Sequence, residues 1–153
     1  MSISDSEMER IEATISMFYE AVSVALSTRL KPWGEYETSR GRAESMGEQM
    51  VDVANLSVDI EEKLVNMLLM QATLQSMWEE ESSKHLSDMS KLPTQQYVSK
   101  DAKLSGVIQS NRKLFLCKQR VDAAVEAGRR SIDRLGMIQS VASRVVSITY
   151  GSG

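Results

Sequence analysis

Residues 43–92 read AESMGEQMVDVANLSVDIEEKLVNMLLMQATLQSMWEEESSKHLSDMSKL, a stretch with no proline and one glycine, Gly47. Apolar side chains recur along it at helical steps: Met46, Met50, Val53, Ile60, Leu64, Met67, Leu74 and Trp78. This is the seam of a long helix that lies against other helices. At 1.5 Å per residue such a helix spans about 75 Å, too long for one side of a compact globule. The other segments are read as its partners.

The composition agrees. Of 153 residues, 42% are hydrophobic but only 5% aromatic, with two prolines and eight glycines. Leu, Met, Val, Ile and Ala must do the packing, as in an all-α bundle or coiled coil rather than a sheet. Ten methionines suit helix seams, because Met fits irregular gaps. The length predicts a single elongated helical domain over 1–153.

The net charge of −3 hides an asymmetry: residues 1–92 carry −9 and residues 93–153 carry +6. Acidic and basic segments that face each other within one fold explain this most economically. Cys117 is the only cysteine, so no intrachain disulfide is expected. The start, MSISDSEMERIE, is acidic and has no signal-peptide pattern. No segment approaches the ~18 consecutive apolar residues of a membrane span. These features predict a soluble cytoplasmic protein, at most peripheral to a membrane. The terminal Gly151-Ser152-Gly153 reads as a flexible end from which a natural chain can continue.

A first helix is predicted over about 5–30, with Ser4 and Glu7 as a capping box. Its apolar positions are Met8, Ile11, Ile15, Phe18, Val22, Ala25 and Leu26. Lys31-Pro32-Trp33-Gly34 ends it. Trp33 and Tyr36 follow the break, and Trp33 is read as a plug for the bundle end. The second helix is predicted over about 38–89 and stops before Pro93. The third runs over about 101–149, with a seam of Leu104, Val107, Ile108, Leu114, Phe115, Val121, Val125, Ile132, Leu135, Ile138, Ala142 and Val145.

Two helices of similar length joined by a short linker form an antiparallel hairpin. With the turn centred near Gln96, facing residue numbers sum to about 192. Glu79–Glu81 then lie opposite Arg112 and Lys113, Glu61 and Glu62 opposite Arg129 and Arg130, Glu48 opposite Arg144, and Trp78 opposite Leu114. The shorter first helix is expected beside 38–65 and 125–150, making a three-helix bundle there and leaving the tip half two-stranded. Leu68, Leu69, Met70, Leu74, Met77, Trp78, Leu114, Phe115 and Leu116 would form an exposed patch at that tip. This is the predicted partner or oligomer interface.

Chemistry is thinly represented. His85 is the only histidine and is expected about ten residues along the bundle from Cys117, too far for a nucleophile–base pair. His85 with Glu81 supplies two metal ligands where three or four are needed, so no metal site is expected. There is no phosphate loop, zinc-type cysteine spacing or nucleophile elbow. Lys113, Arg120, Arg130 and Arg134 are candidate anion contacts, but the stacking aromatics of a nucleic-acid stripe are missing.

The expected function is therefore a non-enzymatic helical scaffold or adaptor subunit that assembles through its seams. Its partner would be a second copy or another helical subunit, with no cofactor, small-molecule substrate or nucleic acid. A dimeric membrane-surface module shaped like a BAR domain is the alternative from a different class, disfavoured by the acidic balance. A helical chaperone or viral assembly protein is a third reading.

Overall fold

The computed structural model describes residues 3–31, 39–89, 105, 106, 108 and 111–151. The described chain is all-α, with three helices and no strand: α1 (Asp5–Ser27), α2 (Ser39–Met89) and α3 (Arg112–Gly151). The long α2 and α3 pack most closely.

Local chemistry sets the ends. Ser4 Oγ accepts the Glu7 backbone N–H at 3.1 Å, the cap expected from the sequence. α1 stops at Ser27 rather than near Leu30. The Thr28 hydroxyl donates to the Val24 carbonyl, and the Arg29 guanidinium donates to the Leu26 and Thr28 carbonyls. Side chains thus occupy the last carbonyls where further helix would have placed N–H groups.

α2 agrees with its expected span to within a residue at its start. α3 begins eleven residues later than expected, at Arg112. Asn111 lies in a turn, and its carbonyl accepts the Phe115 N–H at 2.9 Å, as an N-cap residue does. Ser105, Gly106 and Ile108, the described residues of 101–110, are all helical. Trp33, Tyr36, Leu104, Val107 and the linker 93–99 lie outside the described residues.

The buried positions keep a seven-residue repeat. On α2 they are Met46, Val53, Ile60, Met67 and Leu74; on α3 they are Leu114, Val121, Gly128, Leu135 and Ala142. On α1, Phe18 and Ala25 are buried seven apart, and so are Ile15 and Val22. Leu26, expected on the apolar face, is exposed because its neighbour Ala25 takes the core position.

Close contacts group the chain into two units, Met1–Ser16 with Asn66–Val125 and Met17–Val65 with Glu126–Gly153. In the second of these, Ala25, Val53, Ile60 and Leu135 form a core flanked by Ala21, Leu56, Ile132 and Ile138. Gly128 lets Phe18 and Leu64 approach α3 closely. The Lys31 N–H donates to Gln49 Oε1 at 2.7 Å, and Arg134 Nη2 donates to the Thr28 carbonyl at 3.1 Å.

In the other unit, Met67, Leu74, Leu114, Cys117 and Val121 are buried with Ile3 and Ile15 of the N-terminal segment. Gln71 Nε2 donates to Asp122 Oδ1 at 2.9 Å, and the Trp78 and Phe115 rings lie 5.4 Å apart. The residue numbers sum to 193 in both pairs, and to 192 for Leu64 with Gly128 in the other unit. The antiparallel register read from the sequence thus holds to within a residue, with Phe115 rather than Leu114 against Trp78.

The tip half is not two-stranded. The first turns of α1 pack there: Asp5 pairs with Lys113 at 2.7 Å and Glu12 with Arg120 at 2.6 Å. Ile3 and Ile11 share a groove with Met77 and Leu69. α1 therefore runs antiparallel to α2 with residue numbers summing to about 80. It sits further toward the tip than an immediate turn at Pro32 would have placed it.

Candidate interaction faces

The position of α1 decides which residues remain free. Of the nine expected interface residues, Leu74 and Leu114 are buried within the chain's own core. Leu68, Met70, Met77, Trp78 and Phe115 are half-buried, while Leu69 and Leu116 are exposed. Between α1 and α2 an open groove of about 380 Å³ has an apolar floor that includes Ile11, Leu69 and Met77, with Glu7 and Arg10 at its rim.

The candidate anion contacts do not form one free stripe. Lys113 and Arg120 are held by Asp5 and Glu12. The Lys113 ammonium donates a hydrogen bond to Asp5 and holds its carboxyl below the usual range. Arg134 is engaged at Thr28, and its Nε is buried without an acceptor among the described residues. Arg130 alone of the four is exposed with no hydrogen bond or ion pair among the described residues.

Two of the three expected charge clusters between α2 and α3, Glu61 and Glu62 with Arg129 and Arg130 and Glu48 with Arg144, do not form among the described residues. Glu48, Glu61, Glu62, Arg129, Arg130 and Arg144 are exposed and make no ion pair among the described residues. Glu62 shows why. It lies two residues from both Ile60 and Leu64, which are buried, and so points about 200° away from them round the helix. Being level with a base in the hairpin register does not bring it to the same face.

The outward side of α2 carries a feature that the main apolar seam does not disclose. Val51, Val58 and Val65 recur every seven residues and are 59%, 52% and 55% exposed. This repeat is set two residues before Val53, Ile60 and Met67, so it forms a second apolar line on the opposite side of the helix. Glu48, Asp52, Asp59 and Glu62 flank it, all exposed. A valine every seventh residue was the available signal.

The candidate chemical groups are separated. No three His, Cys, Asp or Glu side chains come together to hold a metal ion among the described residues. The His85 ring lies against Gly106, where a Cβ would sit 2.9 Å from Nε2. Cys117 is wholly buried, and burial pushes its thiol above the ordinary value, with Glu12 adding to the rise and Arg120 opposing it. Native protein is therefore expected to resist thiol alkylation at pH 8, labelling only as fast as the fold opens. Rapid labelling at the rate of a free thiol would contradict that packing. Because the folded thiol ionises later than the unfolded one, its contribution to stability is complete below the unfolded pKa. That contribution falls as pH rises toward the folded value.

No described helix is long and apolar enough to cross a membrane. No protein-family model, curated protein or solved structure matches the chain.

Proposed function

We propose that this chain is a non-enzymatic helical scaffold or adaptor subunit, working in the cytoplasm, that joins other helices through faces its own core does not use. The observation supporting this is the second heptad line on α2. Val51, Val58 and Val65 are unnecessary to the chain's own core, and a regular β-branched repeat is what a partner helix packs against. Single exposed apolar residues are ordinary on protein surfaces; three in register on one helix face are a seam. The mechanism is mechanical. Intrachain heptads fix which face of α2 turns inward, and the outer valines select and align the partner.

The test is affinity purification of the full chain from cells that express it, comparing wild type with Val58→Glu/Val65→Glu. Both sites are exposed, so helix content and melting temperature should stay close to wild type. Partner proteins recovered with wild type should be lost from the variant. The same partners at the same yield in both would contradict the assignment.

A further inference from the structure

We propose that the outward faces of α2 and α3 pair between copies of this chain, α2 of one copy lying antiparallel on α3 of the next. This rests on reading the outer α2 face as a partner seam and names the partner. All the residues involved belong to the unit formed by Met17–Val65 and Glu126–Gly153.

Four charges define the pairing. Glu48 and Glu62 are fourteen residues apart on α2, and Arg130 and Arg144 are fourteen apart on α3. Two heptads separate the members of each pair, so each pair shares one helix face. All four are exposed, and none has an ion pair or hydrogen bond among the described residues. Each stands two residues past a buried position: Met46, Ile60, Gly128 and Ala142 respectively. All four therefore point about 200° away from their own core. The chain holds two matched sets of charges that do not meet within it.

Between copies they can meet. Laid antiparallel, Glu48 reaches Arg144 and Glu62 reaches Arg130 in a single register. That register also sets Val51 opposite Val141, with Met137 one turn away on α3. Met137 and Val141 are 71% and 48% exposed, so both helices bring apolar surface to the seam. Pairing α2 with α2, or α3 with α3, would oppose like charges, which selects the mixed contact. A second copy already carries the complementary Glu and Arg pairs at the correct spacing. Because the two faces differ, each copy offers one of each. The contact is made twice in a closed pair or continues head to tail.

The experiment measures solution mass of the full chain by light scattering after size exclusion, at about 0.05 M and about 0.5 M salt. Wild type is compared with Glu48→Arg/Glu62→Arg, with Arg130→Glu/Arg144→Glu, and with an equimolar mixture of the two. Wild type should exceed the 17.1 kDa of one chain at low salt. Each reversed variant alone should associate roughly tenfold more weakly or worse, and the mixture should recover association, because acid and base again face each other. Circular dichroism of each variant confirms that the helices persist. A wild type of 17.1 kDa at every concentration would overturn the pairing between copies. So would reversed variants that associate as wild type does. Neither result bears on capture of other proteins through Val58 and Val65, so the scaffold reading stands or falls separately.

Discussion

Gly128→Ala is expected to destabilise the protein by about 1–3 kcal/mol, although alanine is the better helix former by about 1 kcal/mol. A Cβ at this position would lie 2.5 Å from Phe18 Cζ and 3.1 Å from both Phe18 Cε1 and Leu64 Cδ1. Phe18 is fully buried, so its ring can retreat only into other packed side chains. The clash belongs to the pair. Phe18→Leu alone leaves a void, but in its presence Gly128→Ala should cost less by on the order of 1 kcal/mol. Gly136 is the internal control. It lies on the same helix, is exposed, and a Cβ added there would meet nothing within 4 Å. Gly136→Ala should therefore stabilise by about 0.5–1 kcal/mol. Urea unfolding followed by circular dichroism reads both changes. Stabilisation by both substitutions would contradict the close approach of α1 to α3.

The second large effect falls on residues that the sequence placed at a partner interface. Leu74→Ala and Leu114→Ala should each cost about 2–5 kcal/mol, because both side chains are enclosed by the chain's own helices. Leu74→Glu should be worse, since it buries a carboxylate with no partner. Leu69→Glu and Leu116→Glu, at exposed neighbours, should stay within about 0.5 kcal/mol of wild type. If Leu74→Glu left the unfolding midpoint unchanged, Leu74 would lie on a surface, and the packing of the N-terminal turns against the tip would be wrong.

These two results separate what the sequence reveals from what it hides. The long α2 is legible because Met46, Val53, Ile60, Met67 and Leu74 form an unbroken repeat that no proline or turn interrupts. The α2–α3 register is legible for a related reason. Two long seams have few alignments that bring every apolar position together, and Trp78 with Phe115 falls within a residue of the expected one. The register of α1 is not legible, because it depends on how much chain separates the two helices. Ending α1 at Ser27 and starting α2 at Ser39 leaves eleven residues between them. The helix then reaches the tip, where Asp5 meets Lys113.

The candidate site is hidden for a different reason. Matching Glu62 to Arg130 by position along the hairpin is sound, but it ignores rotation about each helix. Glu48 and Glu62, which do not pair inside the chain, share the outward side of α2 with Val51, Val58 and Val65. The strongest apolar seam draws the eye to Leu68–Met70 and past the weaker, evenly spaced valines. A surface seam is built of smaller residues diluted by charge, because it must also be tolerated in water.

The most direct measurement places a photoreactive amino acid at Val58 in the full chain and irradiates the cells that express it. Discrete cross-linked products are expected at position 58. A product of twice the chain mass should map to α3 near Arg134 if a second copy fills the seam, and a product of another mass would identify a different helical subunit. Illumination that yields only the 17.1 kDa chain, with a probe at Leu69 equally silent, would contradict the claim that these outward faces exist to hold a partner.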